Sequence, residues 1–369
     1  MKLTDYITLG RTGLRVSPLC LGTMTFGVGW GFGAEEKPSK EMFDRFIDAG
    51  GNFLDTADGY TSGQAEEMTG KFVGERGLRD KVVIATKYTF NFAQNGNPNA
   101  GGNGRKNLYR ALEGSLRRLK TDYVDLYYVH AWDTITPVEE VVSTMNQLVA
   151  EGKIRYWGLS DTPAWYVARA HTIAELRGGE RMATLQLEYA MTERNIEREH
   201  IPVAQELGIG LCPWSPLAGG FLVGKYKREG DKGKGEGRLT MPSGGLFNRF
   251  TERNWRILDV LLDVAKQMGK PPAQVALNWL SAKPGVTSII LGATKVAQLD
   301  DNLAAIEWTL PAELFKKLDD ASAIDLVHPY NFYNPTMQTR VSGGTNVQAW
   351  RPAQVYHGAI VEEKKQAAD

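Results

Sequence analysis

Four side chains suited to proton transfer stand close to the ends of apolar runs. Asp55, Lys87 and His130 each lie at or just past such a run, and Tyr60 follows Asp55 by five positions. A tyrosine has a pKa near 10 and is a weak acid at neutral pH, but a neighbouring ammonium lowers that pKa. With Asp55 neutralising Lys87 and His130 donating a hydrogen bond, the set suits protonation of a carbonyl oxygen while a hydride reaches its carbon.

Eight short apolar segments must position these groups, and stretches of helical period separate most of them. The segments cover residues 19–22, 52–55, 82–85, 124–129, 156–159, 184–187, 209–212 and 288–291. The helical stretches cover residues 40–49, 65–75, 107–119, 138–150, 164–176, 196–207 and 254–268. This alternation predicts parallel strands joined by crossover helices.

Eight repeats favour an α/β fold of the (β/α)8 TIM-barrel type over an open doubly wound sheet. An open sheet that binds a dinucleotide would carry G-x-G-x-x-G between its first strand and helix, and the glycine-rich residues 27–33 do not meet that spacing. A turn between residues 6–10 and 14–17 predicts an N-terminal β-hairpin. In a closed barrel, the C-terminal ends of the second, third and fourth strands would gather the four groups in one place.

Three segments depart from the repeat, and two of them predict long loops on the C-terminal face of the barrel. Residues 91–106 and 228–245 are rich in glycine and polar side chains and follow the third and seventh strands. We expect one barrel domain over residues 1–324 and an extension over residues 325–369. The front of the extension is expected to pack on the barrel through aromatic side chains, and its last residues to be disordered. These aromatic residues are Tyr330, Phe332, Tyr333, Trp350 and Tyr356.

The composition excludes several classes of function. The 369 residues contain 43 Lys+Arg and 43 Asp+Glu, so no overall charge attracts nucleic acid or a membrane surface. No apolar run is long enough to span a bilayer, and no targeting segment follows Met1. Cys20 and Cys212 are expected to be reduced and buried. These features predict a cytoplasmic protein without a metal site, and they leave a homo-oligomer open.

Eight motifs then occur in a recognisable order. They are Leu21-Gly-Thr-Met-Thr-Phe-Gly27, Asn52-Phe-Leu-Asp-Thr-Ala-Asp-Gly-Tyr60, Ala85-Thr-Lys87, Asp125-Leu-Tyr-Tyr-Val-His130, Gly152-Lys-Ile-Arg-Tyr-Trp-Gly-Leu-Ser160, Gln186-Leu-Glu-Tyr189, Pro213-Trp-Ser-Pro-Leu-Ala-Gly219, and Leu291-Gly-Ala-Thr-Lys295 with Asn302. In these motifs the chain resembles the aldo-keto reductase family from about Ile7 to Ser322. It is similar to the aryl-alcohol dehydrogenase-like and potassium-channel β-subunit-like branches.

The resemblance implies an extended nicotinamide dinucleotide on the C-terminal face and a catalytic tetrad of Asp55, Tyr60, Lys87 and His130, with Tyr60 as general acid. The cofactor-binding residues that it implies are Thr23, Met24, Asp55, Ser160, Asp161, Gln186, Trp214, Ser215, Leu217, Gly219, Lys225, Arg238, Gly292, Thr294, Lys295, Gln298 and Asn302.

Their implied roles divide along the cofactor. Ser160 and Gln186 would hold the carboxamide and Trp214 would stack on the nicotinamide. The turn at Ser215, Leu217 and Gly219 would bind the pyrophosphate, aided by the cations Lys225 and Arg238. Residues from Gly292 to Asn302 would grip the adenosine end. Here Lys295 beside Thr294 suits a 2′-phosphate and hence NADPH/NADP+, although Lys295 also fits a solvated helix start. Many relatives carry asparagine where this chain has Asp161, which would accept from the carboxamide but not donate to it.

The substrate is left open. Five rim residues would form apolar walls beside the nicotinamide, or pack within their own loops: Met24, Trp30, Phe90, Trp132 and Tyr330. Such walls fit aryl aldehydes, bulky ketones or the apolar face of a sugar. A Schiff-base aldolase with Lys87 as nucleophile does not account for Asp55 and Tyr60, which would keep Lys87 charged. An NADPH-binding accessory or redox-sensing subunit with little turnover is the remaining alternative to a working reductase.

Overall fold

The computed structural model describes residues 1–92, 96–229, 232–241, 248–333 and 335–345. It opens with the predicted hairpin, in which strand β1 (Ile7–Thr8) pairs antiparallel with β2 (Arg15–Val16). The hairpin side chains of Leu9 and Val16 are fully buried, and they belong to the same apolar cluster as residues inside the barrel such as Cys20 and Cys212. The hairpin therefore closes one end of the barrel.

Seven parallel strands follow, each paired with the next in chain order. They are β3 (Leu19–Gly22), β4 (Phe53–Asp55), β5 (Val83–Tyr88), β6 (Val124–Val129), β7 (Ile154–Ser160), β8 (Thr184–Glu188) and β9 (Gly210–Trp214). A second hairpin of β10 (Lys227–Glu229) and β11 (Lys232–Lys234) lies in the loop after β9.

The eighth barrel strand, β12 (Ile289–Leu291), closes the circle. It pairs in parallel with β3, and the backbone N–H of Thr287 just before it donates to the carbonyl of Leu211 in β9 over 2.8 Å. The predicted eight-stranded α/β barrel is confirmed. Because all eight strands run the same way, their C-terminal ends share one face, and the loops that leave that face can converge on a site.

Helices surround the strands. Their bounds are α1 (Glu36–Asp48), α2 (Gln64–Glu75), α3 (Arg105–Leu119), α4 (Val138–Ala150), α5 (Ala164–Leu176), α6 (His200–Leu207), α7 (Glu252–Met268), α8 (Pro272–Ser281), α9 (Val296–Leu303), α10 (Ala312–Ala321) and α11 (Pro335–Val341). In α3 the predicted apolar face is real, since Leu108, Leu112 and Leu119 are buried against the barrel.

The structure differs from the predicted helices at two places. The stretch 196–207 contains a short 3-10 helix at Asn195–Glu197 followed by α6, whose third residue is Pro202. A proline has no N–H and fits only the first helical turn, so the α-helix starts late. Helix α8 was not predicted, because residues 273–280 are all buried and show no alternation between apolar and polar faces.

The extension after residue 324 contains structure that its lack of period did not predict, namely a 3-10 turn at Tyr330–Phe332 and helix α11. The Tyr330 hydroxyl donates to Glu199 over 2.5 Å, which joins the extension to the loop before α6. Phe332 and Tyr333 stay 50% and 62% exposed, so these two rings do not pack as expected. Trp350, Tyr356 and the tail expected to be disordered lie outside the described residues.

The described residues contain no helix that combines the length and apolar character needed to cross a membrane. Cys20 and Cys212 are both buried, as expected, and neither forms a disulfide.

Candidate active site

A buried ion pair lies at the C-terminal end of neighbouring strands. Asp55 ends β4, and Lys87 is the fifth residue of β5. The Lys87 Nζ atom lies 2.5 Å from Asp55 Oδ1 and also donates to the Thr56 carbonyl over 2.7 Å and to the Tyr60 hydroxyl over 3.1 Å. Lys87 is 0% exposed and Asp55 is 2% exposed. All three ammonium protons therefore have an oxygen acceptor, and one of these acceptors is Tyr60.

Charge keeps Lys87 protonated, and burial keeps Tyr60 neutral. Burial alone would lower the pKa of Lys87, but the Asp55 carboxylate and the Tyr60 oxygen outweigh burial and raise it. Burial raises the pKa of Tyr60 above its usual value near 10, and the Lys87 charge offsets only part of that rise. The expectation that Lys87 lowers the Tyr60 pKa below its usual value is therefore wrong in the net. The loss of hydration destabilises the phenolate more than its attraction to the Lys87 ammonium stabilises it.

His130 completes the group from the end of β6. Its ring packs edge-on against Tyr60 with 5.8 Å between centroids, and against Phe90 with 4.9 Å. Burial, and then the Lys87 charge, lower the pKa of His130 well below its usual value near 6.5. Its Nδ1 atom is buried without a hydrogen-bond partner. The imidazole is therefore neutral at neutral pH and would offer one N–H to a ligand.

The backbone beyond Tyr60 is strained in a way the sequence did not reveal. Thr61 and Ser62 have φ of 46° and 60°, a left-handed conformation that costs most residues free energy. The Thr61 hydroxyl donates to the carbonyl of Phe26 over 2.8 Å, which ties this turn to the loop after β3. The strained turn thus holds Tyr60 between two rim loops.

Gln186 and Asp161 extend the site along β7 and β8. The Gln186 amide donates to Asp55 Oδ2 over 2.8 Å, and Ser160 is buried at the end of β7. The next residue, Asp161, has a φ of 44° and accepts a hydrogen bond from the Trp214 indole over 3.1 Å. Asp161 is exposed on the C-terminal face of the barrel. The surrounding protein atoms still displace enough water to raise its pKa to about 6, although the hydrogen bond from Trp214 and the charge of Lys87 both act to lower this pKa.

The turn after β9 has the features of an anion cradle. Ser215, Ala218, Gly219 and Gly220 have φ of 53°, 51°, 66° and 86°, and successive turn residues of this kind form a concave set of N–H groups. A Cβ atom placed on Gly220 would lie 3.6 Å from the Lys225 ammonium, so this cation sits directly beside the turn. These donors fit the pyrophosphate of a dinucleotide.

The loop after β11 extends from this turn to the loop after β3, two strands away around the barrel. The Arg238 guanidinium lies 4.8 Å from the centroid of Phe32, in the loop after β3. A Cβ atom placed on Gly219 would come within 2.9 Å of Leu239. Leu217 is half-buried in the same turn. Within the predicted long loop 228–245, residues 230–231 and 242–245 lie outside the described part.

The remaining cofactor candidates lie after β3 and β12. Thr23 is buried, and its N–H and hydroxyl both donate to the Asp55 carbonyl, over 2.8 and 3.1 Å. Past β12, the N–H and hydroxyl of Thr294 donate to Gln298 over 3.0 and 3.1 Å. Lys295 is exposed at the start of α9. Three others complete this set: half-buried Met24, exposed Gly292 and buried Asn302.

The rim aromatics divide into two groups. Trp30 lies edge-on to Tyr60 with 6.1 Å between centroids, and Phe90 contacts His130 as described. Trp132 instead packs against Trp165 with 5.6 Å between centroids, while Tyr330 bonds to the loop before α6. The structure therefore brings Trp30 and Phe90 to the reactive side chains, whereas the contacts of Trp132 and Tyr330 are with other elements.

Sequence reasoning missed two contributors to the site. The Thr56 carbonyl is a Lys87 acceptor, and a backbone group leaves no mark in a sequence. Phe92, half-exposed, packs 6.0 Å from Phe90 and covers Gly59, where an added Cβ would clash with its ring. The spacing of Phe90 and Phe92 directly after β5 was the available signal.

The described residues hold no cluster of His, Cys, Asp or Glu fit to bind a metal ion.

Comparison with known proteins agrees with this geometry. Residues 18–323 match the model of the Aldo/keto reductase family. The chain is 36% identical to norsolorinic acid reductase A of Aspergillus parasiticus, over 89% of this chain and 84% of that protein. It is 35% identical to aryl-alcohol dehydrogenase [NADP(+)] of Phanerodontia chrysosporium, over 86% of each chain. It is 38% identical to the uncharacterized oxidoreductase YrpG of Bacillus subtilis, over 86% of this chain and 95% of that protein.

Proposed function

Because the chain belongs to the aldo/keto reductase family, we propose that it reduces an aldehyde or ketone to the alcohol, reversibly, with NADPH as reductant and Tyr60 as general acid. The observation that carries the proposal is the contact of the Lys87 ammonium with both Asp55 and the Tyr60 hydroxyl, beside the His130 ring. This arrangement offers one neutral O–H donor, backed by a fixed positive charge.

The chain's residues divide the chemistry as follows. A carbonyl oxygen would accept hydrogen bonds from the Tyr60 hydroxyl and the His130 N–H, which polarise the C=O bond. Bound NADPH supplies the hydride that reaches the carbonyl carbon. As the oxygen becomes an alkoxide, the Tyr60 proton passes to it, and the resulting phenolate is stabilised by Lys87 at 3.1 Å. The reverse order of the same steps oxidises an alcohol.

The side chains present fit a nicotinamide dinucleotide. Gln186 and Ser160 would bind the carboxamide, the Trp214 ring would support the nicotinamide, and the turn from Ser215 to Gly220 with Lys225 would bind the pyrophosphate. Lys295 is exposed beside the Thr294 hydroxyl and would pair with a 2′-phosphate. One relative named for NADP(+) supports the same preference for NADPH.

For the substrate we propose an aromatic aldehyde or ketone. Trp30 and Phe90 place two aromatic rings against Tyr60 and His130, where a reacting carbonyl would sit. Flat rings favour edge or offset stacking with an aryl substrate. The relative whose name refers to an aryl alcohol supports this class. The alternative of an accessory subunit with little turnover is disfavoured by the complete set of contacts around Lys87.

Oxidation of NADPH, followed by absorbance against a panel of aryl aldehydes, ketones and sugars with NADH in parallel, tests the function. The Tyr60→Phe variant should lose reduction by about 10²- to 10⁴-fold, the usual contribution of a positioned general acid, while keeping its affinity for NADPH. Unchanged turnover in this variant would disprove the role of Tyr60. Tight NADPH binding by the wild type without turnover on any substrate would favour the accessory subunit.

A further inference from the structure

Two ion pairs lie in and beside the site. Lys87 is paired with Asp55, and Arg249 is paired with Glu188 at the end of β8. Among the described residues, Asp161 forms no ion pair, although it follows the end of β7 and is close enough to Lys87 and Glu188 to interact with both electrostatically. Its carboxylate has the Trp214 indole as a hydrogen-bond donor, which is neutral. Asp161 is therefore a carboxylate of the site that no ion pair within the described residues neutralises.

Asp161 is held firmly in place. Its N–H donates to the Gln186 carbonyl and its own carbonyl accepts from the Trp132 N–H, both over 3.3 Å. The side chain is fixed by the 3.1 Å bond from Trp214. Because Asp161 has a left-handed φ of 44°, a conformation that aspartate and asparagine tolerate better than most residues, an asparagine would fit the same backbone.

We propose that Asp161 determines the preference of the site for the redox state of the nicotinamide: its carboxylate favours the positively charged oxidised ring over the neutral reduced ring. The inference rests on the proposed function, since Trp214 is the surface on which the nicotinamide would stack. A ring on Trp214 would lie next to the carboxylate that anchors this indole. A nearby negative charge stabilises a cation by Coulomb attraction and leaves a neutral ring almost unaffected.

This preference would assist carbonyl reduction. Tighter binding of the oxidised form lowers the free energy of the complex after hydride transfer relative to the complex before it. The cost is slower release of the oxidised cofactor, and product release limits turnover in many enzymes. After burial and Asp55, the Asp161 charge also raises the pKa of Tyr60, so it helps to keep the proton on the proposed acid.

The Asp161→Asn variant isolates the charge, because an asparagine oxygen still accepts from Trp214. We expect the dissociation constant of NADP+ divided by that of NADPH to rise about tenfold in this variant. The magnitude follows from removing the attraction between two unit charges a few ångströms apart at an intermediate dielectric. Any new hydrogen bond from the asparagine to the carboxamide would strengthen both forms and cancel in the ratio. Calorimetric titration of each nucleotide, without substrate, gives both constants.

A matched control is Glu199→Gln. It removes one charge from the loop after β8 on the same face and keeps an acceptor for its own aromatic donor, the Tyr330 hydroxyl. The ratio should stay within about twofold of the wild type in this control, because the remaining effect is long-range and screened. An equal rise in both variants would overturn the inference.

The wild type supplies a second measurement that needs no substitution. With a pKa of about 6, Asp161 is charged at about pH 8 and increasingly protonated toward about pH 5, so the NADP+ preference should weaken as the pH falls. The other charged or titratable groups that interact with Asp161 are Lys87, Glu188 and Tyr60, and Arg238 in turn interacts with Tyr60. Burial also raises the pKa of Glu188, to about 7, so the same titration on Asp161→Asn separates the two carboxylates.

The possible outcomes are distinct. Binding of both nucleotides with an unchanged ratio in Asp161→Asn would overturn the inference and leave the proposed function standing. Binding of neither nucleotide to the wild type would overturn both. A raised ratio in Asp161→Asn alone, with the pH dependence lost in that variant, supports the role of the Asp161 charge.

Discussion

Replacing Asp55 by asparagine tests the central ion pair without changing its shape. The asparagine side chain would retain one acceptor oxygen for Lys87 or Gln186 but would remove the negative charge 2.5 Å from the Lys87 ammonium. Lys87 is fully buried, so no water reaches its charge to replace the lost partner. We expect the substitution to destabilise the whole fold as well as the site.

The magnitude follows from the burial of both partners. Breaking a buried pair leaves one uncompensated charge, which typically costs about 3–5 kcal/mol of the free energy of unfolding. The Thr56 carbonyl and the Tyr60 hydroxyl still accept from Lys87, over 2.7 and 3.1 Å, and this places the expected loss near the lower end, at about 3 kcal/mol.

The free energy of unfolding should depend on pH differently in the wild type and in Asp55→Asn. In the wild type the folded pKa of Lys87 is raised, so its contribution to stability is fully present below the unfolded pKa of about 10.4 and is lost only as the pH rises through the folded value. In Asp55→Asn, burial would instead depress the folded pKa of Lys87. The stability of the variant should then increase with pH between that depressed value and about 10.4, so its deficit is smaller at about pH 9 than at about pH 7.

Urea denaturation followed by circular dichroism measures the free energy of unfolding at both pH values. The control is the double variant Asp55→Asn/Lys87→Met, which removes the stranded charge and should recover a substantial part of the loss. A loss below about 1 kcal/mol in the single variant, or no recovery in the double variant, would refute the interpretation of Lys87 as a buried ammonium that depends on Asp55.

Two further predictions concern Lys295 and His130. Lys295→Met should weaken NADPH binding about 10- to 100-fold, because it removes one charge-assisted hydrogen bond, and should leave NADH binding unchanged. Calorimetric titration measures both affinities, and an equal effect on the two nucleotides would contradict a 2′-phosphate contact. His130 should remain neutral from about pH 8 to about pH 5, because burial and Lys87 lower its pKa well below its usual value. NMR of labelled histidine, with the signal assigned by His130→Gln, measures this pKa, and protonation near about pH 6.5 would show that the imidazole is solvated.

The barrel was predictable because its strand and helix periods are local properties of the chain. Amphipathic helices such as α3 carry their buried face in their spacing, whereas α8 is buried on nearly every side and carries no such mark. The convergence of Asp55, Lys87 and His130 followed from the strand ends alone. Contacts between distant loops, such as Arg238 with Phe32, depend on how far each loop reaches and could not be inferred from composition.

The electrostatics of the site were less predictable than its residues. The sequence places a lysine near a tyrosine, and proximity alone predicts a lowered phenol pKa. The net direction depends on how completely Tyr60 is removed from water, which is a property of the packed structure. Likewise the sequence showed that Asp161 stands where many relatives carry asparagine. It did not show the hydrogen bond from Trp214 to Asp161 or the lack of a cationic partner for Asp161 among the described residues.

The same electrostatics argue for Tyr60 as the proton donor by elimination. Both oxygens of Asp55 accept hydrogen bonds, one from Lys87 and one from Gln186, so this carboxyl has no proton directed at a ligand. Lys87 has a raised pKa, so it is a weak acid. Its ammonium already donates to three acceptors, which leaves no proton free for a ligand. His130 is neutral because its pKa is lowered, so it carries no imidazolium proton to transfer and can only donate a hydrogen bond. Tyr60 keeps its proton throughout the neutral range, and a newly formed alkoxide is a strong enough base to remove it. Tyr60 is therefore protonated when the hydride arrives, which is the state that the proposed reduction requires.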